Sequence, residues 1–464
     1  MHRLAATRSG AREVNALRFG SRLTECARGG SRSGMFAEPQ DDITRVELAD
    51  WQAQRLAHLL RDIVPANRFY ARKFHRLDDF SRLPFTTKAE LLEDQAQHPP
   101  YGDILTYPLE RYNRLHQTSG TAGRPLRWLD TPESWSRLLD CWQLMLRMAG
   151  VTPADRLFFP FSFGPFLGFW TAFEAASRMG CLCLPGGGLS SSARLRFLLD
   201  NEATVVLCTP TYALRLAEVA QSEGVDLVGC SVSKVIVAGE TGGSIPATRG
   251  RIERAWGARV FDHTGMTETG PLGIECIEHP GGLHLMETEC VVEVIDPVTT
   301  EAVSPGTEGE LVLTTFDRPG SPLIRYRTGD RVRVDPHPCP CGRALVRLDG
   351  GIRGRVDDMI VIRGNNVHPE ALQAILLHQP EVCEYRIEVD RTQALPVLRI
   401  EVEPHPQAVA DALAERIESA VRTELLFRAE VRTVPPGTLP RFEMKSRRMV
   451  QKIDDGTASE PRKS

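Results

Sequence analysis

The chain has 464 residues, 42% of them hydrophobic and 25% charged, a globular balance with room for two or more domains. Its 56 Lys and Arg against 60 Asp and Glu leave a formal charge of -4, so no net charge favours nucleic acid or an anionic membrane. No apolar run of about 18 residues is present to make a transmembrane helix, and the 11 cysteines show no extracellular framework, so a cytoplasmic location with reduced thiols is expected.

Residues 1–35 are rich in Arg, Ala, Ser and Gly. They read as a disordered arm, or as sequence ahead of a true start at Met35, because Glu13 and Glu25 sit badly in a targeting peptide. From Val46 to His75 the spacing of Leu48, Trp51, Leu56, Leu59, Leu60 and Ile63 predicts helix. Leu83 to Lys88 reads as a loop entering a helix, with Thr86 or Thr87 as cap. From about 140 to 260, apolar runs at 156–159, 181–184, 205–208 and 235–238 alternate with helical stretches at 169–179, 191–201 and 211–223. That rhythm is the α/β signature of parallel strands and crossover helices. After Gly281 the runs at 291–295 and 310–315 suggest a β-rich subdomain. Past Gly354 to Asp358 a smaller α+β unit is expected, with strands near 359–362, 384–390 and 397–403 and a helix over 406–424.

The segment Thr118-Ser119-Gly120-Thr121-Ala122-Gly123-Arg124-Pro125 suits a polyphosphate. Two glycines allow a tight turn with exposed N–H groups, the hydroxyls add donors, and Arg124 adds a fixed charge. The Walker pattern is absent. The plainer reading is a polar surface loop.

Four further motifs follow in order: Ala238-Gly239-Glu240-Thr241, His263-Thr264-Gly265-Met266-Thr267-Glu268, Tyr326-Arg327-Thr328-Gly329-Asp330, and Pro440-Arg441-Phe442-Glu443-Met444-Lys445. Together with the phosphate loop they resemble the signature of the adenylate-forming superfamily. Phe69 to Phe74, Leu83 to Lys88, Thr209 to Leu214, Pro322 to Arg327 and Asp357 to Val367 narrow the resemblance to the phenylacetate–coenzyme A ligase family. It runs from about residue 46 to 450.

The resemblance implies a large N-terminal α/β domain over 36–353 with a β-rich subdomain. A small mobile C-terminal α+β domain over 357–464 follows, with a hinge near 354–358. It also implies a two-step reaction. A carboxylate attacks the α-phosphorus of ATP, releasing pyrophosphate, and a thiol, usually that of coenzyme A, then displaces AMP. Catalysis of the first step is alignment and charge stabilisation. Thr118, Ser119, Gly120, Thr121, Gly123 and Arg124 would cradle phosphates. Gly239, Glu240, His263 and Thr264 would flank the adenine, and Asp330 would take the ribose hydroxyls. Glu268 would hold Mg²⁺ beside Thr267, and Lys445 would bridge the forming acyl–phosphate linkage. Arg355 would touch the nucleotide and Asp357 would mark the hinge. Arg124 stands where the family often has Lys, and Thr264 stands where an aromatic usually flanks the nucleotide.

Phe158, Phe159, Phe161, Phe163, Phe166, Phe169 and Trp170 cluster around Gly164 and Gly168. Such density is more often core than pocket, but glycines let a flat ring approach the backbone. Phe161, Phe163, Gly164, Phe166 and Gly168 are the expected acid-pocket residues, for an aryl or arylacetic acid. Cys339 and Cys341 form a C-x-C turn, and Cys276 and His284 lie upstream; three thiolates and one imidazole suit a closed structural zinc site. His279 or His337 can replace His284 in that set, and four unrelated reduced residues are the plainer reading.

The expected partners are thus a small carboxylic acid, ATP and coenzyme A, with Mg²⁺ and structural Zn²⁺ and no nucleic acid or membrane. Two other readings stay open. One is an adenylate-forming ligase with another acceptor, such as a carrier-protein thiol, an amine or a cofactor hydroxyl. The other is an inactive binding protein that keeps the fold. Oligomeric state is not readable, although a homodimer would be unsurprising.

Overall fold

The computed structural model describes residues 43–77, 79–118, 125–358, 360–362, 365–390, 397–425, 427–442 and 448–452. Helix α1 (Arg45–His58) opens on a capping box between Thr44 and Glu47. Asn67 caps α2 (Arg68–Lys73), and Thr87 with Glu90 forms a second box for α3 (Lys88–Gln97). Thr87 is therefore the cap, while Thr86 pairs as a parallel bridge with Tyr326. Strands β1 (Arg114–Gln117) and β2 (Arg127–Asp130) form an antiparallel hairpin. Helix α4 (Pro132–Met148) follows at once, with Thr131 as cap and Pro132 in its first turn.

The alternating region is β3 (Arg156–Phe159), α5 (Trp170–Arg178), β4 (Leu182–Pro185), α6 (Ser191–Asp200), β5 (Val205–Cys208), α7 (Pro210–Glu223), β6 (Lys234–Val237), α8 (Pro246–Trp256) and β7 (Arg259–Met266). Then come β8 (Gly270–Ile274), β9 (Gly282–Leu285), β10 (Cys290–Ile295), β11 (Glu308–Thr315), β12 (Tyr326–Arg333) and β13 (Arg347–Asp349). The chain ends with β14 (Ile360–Ile362), β15 (Asn365–Val367), α9 (Pro369–His378), β16 (Val382–Asp390), β17 (Val397–Pro404), α10 (Ala410–Leu425), β18 (Glu430–Thr433) and β19 (Met449–Lys452).

Contacts divide the chain into two compact units. The first takes its described residues from Met1–Pro153, Phe163–Gly180 and Thr264–Gly351. Within it β10, β11 and β12 form an antiparallel sheet, and β9 pairs antiparallel with both β8 and β13. A core around Leu56, Tyr70, Trp128, Ile324 and Tyr326 packs there.

The second unit takes Ala154–Ser162, Cys181–His263 and Ile352–Ser464. Its strands run parallel in the order β4-β3-β5-β6-β7. All four residues of β5 are buried, which is why that run is wholly apolar. Leu195, Leu216, Ile252 and Trp256 of α6, α7 and α8 join the same core. A second sheet, β18-β17-β16-β19, packs with α9 and α10 around Leu372, Ile387, Ile400 and Ile417. The parallel α/β sheet thus lies in the second unit, while the strand pairs named in the first are antiparallel. Among the described residues, no helix is long and apolar enough to cross a membrane.

One ion pair ties the first unit together. Asp130, at the end of β2, accepts two hydrogen bonds from Arg318, Nε to Oδ1 at 2.7 Å and Nη2 to Oδ2 at 2.6 Å. Both side chains are 0% exposed. Arg318 also lies over the Trp128 ring, 5.7 Å from its centroid. Asp317 is buried too, and burial with the nearby Glu289 carboxylate pushes its pKa up to about 8. It is a neutral acid near pH 7, so Arg318 balances Asp130 rather than two carboxylates. Breaking such a pair strands a buried charge, whereas replacing both partners does not. Asp130→Leu is expected to lower unfolding stability by about 3–5 kcal/mol, and adding Arg318→Met to recover most of that loss. Urea denaturation of the single and double variants measures both.

Candidate active site

In the first unit, Thr118 closes the β1–β2 hairpin. Its N–H donates to the Leu126 carbonyl at 2.9 Å, and its hydroxyl accepts from Leu126 N at 3.0 Å. The expected phosphate-binding residues Ser119, Gly120, Thr121, Gly123 and Arg124 lie outside the described residues. The hairpin that presents them is anchored at both ends, at Asp130 by Arg318 and at Gln117, whose N–H donates to Pro165 O at 2.7 Å.

Glu268 sits in the turn between β7 and β8, 3% exposed, and not at a helix N-terminus. Its Oε1 accepts from Lys88 Nζ at 2.9 Å and from the Tyr326 hydroxyl at 3.3 Å. The neighbouring Thr267 carbonyl accepts from Arg318 Nη1 at 2.7 Å. The guanidinium that holds the β1–β2 hairpin therefore also holds the turn carrying Glu268. Lys88 was not among the expected site residues. It is placed by Thr86, whose N–H donates to Arg325 O and whose carbonyl accepts from Arg327 N, both at 2.9 Å. No local pattern joins Lys88 to Glu268 across 180 positions, although the Thr87 cap marks where the lysine emerges.

Asp330 lies on β12, 8% exposed. The Thr-Gly-Asp stretch reads like a turn, yet the strand continues through it. Gly329 adopts φ +75°, and the β11–β12 register shifts between Glu310 and Val312. Only a glycine takes that φ at low cost. The Thr328 hydroxyl accepts from Asp330 N at 3.0 Å and donates to Leu311 O at 2.8 Å, fixing the carboxylate's backbone. Thr264 is buried near the end of β7.

In the second unit, Gly239 follows β6 at φ +91°. Glu240 beside it accepts from Thr211 N at 2.9 Å, at the N-terminus of α7, where the helix dipole favours a carboxylate. His263 is buried on β7. Arg355 and Asp357 pair with one another, Nε to Oδ1 at 3.0 Å, and Asp357 is 70% exposed. Lys445 lies outside the described residues.

The aromatic run divides. Phe158, Phe159 and Phe169 are core, at 0%, 0% and 5% exposure. Phe161, Phe163, Phe166 and Trp170 are only half-buried. Phe163 meets Trp170 edge-on at 4.7 Å and Phe173 at 5.2 Å. The Trp170 indole donates to Gly164 O at 3.0 Å, and Gly168 takes φ +41°.

Four ligand atoms, one each from Cys276, His284, Cys339 and Cys341, all lie within 4.8 Å of one another. Cys276 Sγ is 3.6 Å from Cys339 Sγ, and Cys341 Sγ is 3.4 Å from His284 Nε2. A tetrahedral zinc with Zn–S bonds near 2.3 Å would separate its sulfurs by about 3.8 Å, so these spacings fit. His284 Nδ1 lies 3.2 Å from Leu345 O, the partner that leaves Nε2 free to bind metal. Gly342, at φ +76°, closes the C-x-C turn with an N–H bond to Cys339 O. His337 is instead 84% exposed beside Asp335.

Residues 364–452 match the AMP-binding enzyme C-terminal domain. The chain is 30% identical to the phenylacetate-coenzyme A ligase of Thermus thermophilus over 440 residues, 88% of this chain and 97% of that protein. It also matches 2-hydroxyisobutyryl-CoA ligase, solved in the postadenylation state in complex with 2-HIB-AMP. The TM-score there is 0.82 at 30% identity, covering 88% of this chain and 90% of that one. Against the same enzyme with 2-HIB-AMP and CoA in the thioesterification state, the TM-score is 0.66 at 30% identity, with 90% and 94% covered. With the ordered motifs and the residues around Glu268 and Asp330, these matches establish that the chain belongs to the phenylacetate–coenzyme A ligase family of AMP-forming acid–thiol ligases.

Proposed function

We propose that this chain activates an aryl or arylacetic acid with ATP, forms its acyl-adenylate, and passes the acyl group to coenzyme A. The buried carboxylate Glu268, facing Lys88 and Tyr326 and braced by Arg318, carries the reading. An acceptor-only group in that setting suits Mg²⁺, which would neutralise phosphate charge when bound. Asp330 is assigned the ribose hydroxyls, for which a carboxylate fixed on a strand is pre-organised. Gly239, Glu240, His263, Thr264 and Arg355 are assigned to the nucleoside. Thr118 with residues 119–124 is assigned to the phosphates, and Thr267 to a phosphate contact.

The half-buried aromatics support the acid class. Phe163, Trp170 and Phe173 already pack edge-on, the geometry that a further ring extends. Phe161, Phe166, Gly164 and Gly168 complete the assigned pocket. Cys276, His284, Cys339 and Cys341 are assigned a structural zinc, which would stabilise β8, β9 and β13 and take no part in the chemistry. The segment from 357 is assigned to the part that repositions between half-reactions, with Asp357 at the hinge.

Pyrophosphate release from ATP and Mg²⁺ tests the function, across aryl, arylacetic and small 2-hydroxy acids, with and without coenzyme A. Release with aryl or arylacetic acids, rising with coenzyme A and accompanied by thioester, is the expected result. Release indifferent to coenzyme A would point to a carrier-protein, amine or hydroxyl acceptor. No release with any acid would favour an inactive binding protein. Lys445→Ala is expected to slow adenylation roughly 10²–10³-fold while sparing thioester formation from supplied acyl-adenylate. Loss of both half-reactions would remove Lys445 from its assigned role. Elemental analysis is expected to find zinc in the purified chain and little in Cys339→Ser, whose melting temperature should fall with it.

A further inference from the structure

The second unit contains a chain of contacts that ends on Glu240 and whose other members have no part in the assigned chemistry. Arg448 stands three residues after Lys445 and one before β19. Its guanidinium forks onto Glu384 of β16 through Nε and Nη2, the latter at 2.9 Å. Glu384 is 3% exposed, so this fork sits in a site largely closed to water. The aromatic faces of Tyr385 and Phe442 lie 5.1 Å and 5.7 Å from the guanidinium carbon and confine it further. With Nε and Nη2 committed, Nη1 is aimed outward and donates to the Thr211 hydroxyl on α7 at 3.0 Å. The Thr211 N–H in turn donates to Glu240 at 2.9 Å.

Thr211 lies outside the segment that matches the C-terminal domain, and Arg448 lies inside it. Two other arginines cross the same boundary. Arg251 of α8 donates to the Val382 carbonyl at 3.0 Å, and Arg441 faces Glu218 of α7 at 3.6 Å. Only the Arg448–Thr211 bond, among these three, continues to Glu240.

We infer that Thr211 and Arg448 are positioning residues for adenylation. They form a strut from the Glu240 loop to the strand entered just after Lys445, and it sets that strand's register against the nucleotide side. The inference rests on the proposed two-step function. A planar guanidinium is suited to this, because one edge can be fixed while the other reports to a partner; a lysine cannot do both. The strut ends three residues after Lys445, which the proposed function assigns to adenylation. It should therefore serve the first half-reaction and not the second.

The test uses phenylacetate, ATP and labelled pyrophosphate for adenylation by isotope exchange, and phenylacetyl-adenylate with coenzyme A for thioester formation. Thr211→Val removes the acceptor with little change of shape and touches neither Glu384 nor β16. It is expected to lower kcat for exchange about tenfold, the effect of one hydrogen bond to a charged group. KM for ATP and the rate of thioester formation should stay within about twofold of the unsubstituted chain. Thr211→Ser keeps the hydroxyl and should retain both rates. Arg448→Lys should reproduce the Thr211→Val pattern. Equal loss of both half-reactions, or undiminished exchange in Thr211→Val, would overturn the strut. Absence of exchange in the unsubstituted protein with phenylacetate and with every other aryl or arylacetic acid would overturn the function it rests on, and the strut with it.

Discussion

The geometry of the first unit hangs on a single guanidinium. Arg318 reaches Asp130 at the foot of the β1–β2 hairpin and the Thr267 carbonyl in the turn that carries Glu268. A hairpin and a β-turn are each weak structures alone; Leu126 and Trp128 seat the hairpin in the core, and Arg318 joins it to the turn. A buried, bidentate charge pair gives little net stability, because desolvation offsets the attraction. What it gives is geometry: any displacement of either partner leaves a charge uncompensated. Asp317 adds less negative charge than an ordinary carboxylate, because burial beside Glu289 pushes its pKa up.

The same logic recurs at different scales. Asp330 is placed by a strand with a register shift, Glu268 by a turn braced from behind, and Glu240 by the N-terminus of α7. Each carboxylate is placed through backbone or through a second side chain. The cysteine cluster lies at the far ends of β8 and β9 from that turn.

Much of this was legible in the sequence. The strands β3, β4, β5 and β6 and the helices α5, α6 and α7 follow from short apolar runs between caps, because a buried parallel sheet leaves few polar positions in its strands. The motif residues follow from resemblance. Helix α4 is not among the expected elements, although Thr131, Pro132 and the spacing of Trp135, Leu138, Trp142 and Met145 all mark it. Strand β13 has three residues, too few for any period to show. Thr328-Gly329-Asp330 looks like a turn because glycine before aspartate usually is one, and only the ladder with β11 reveals otherwise. Arg318 with Asp130 and Lys88 with Glu268 could not be read at all: they join positions 188 and 180 residues apart, and nothing local marks either pair.

The division of the aromatic run bears on how such a chain can change over generations. Phe158, Phe159 and Phe169 fill the interior, where losing one ring would open a cavity costing about 3–5 kcal/mol. Phe161, Phe163 and Phe166 are half-exposed, so their replacement disturbs packing far less. On the proposed function, the positions that select the acid are the ones the fold can spare. Selectivity and foldability are thereby drawn from separate residues of one short segment. A lineage can exchange one acid for another by a few substitutions there, with the nucleotide machinery and the core inherited intact.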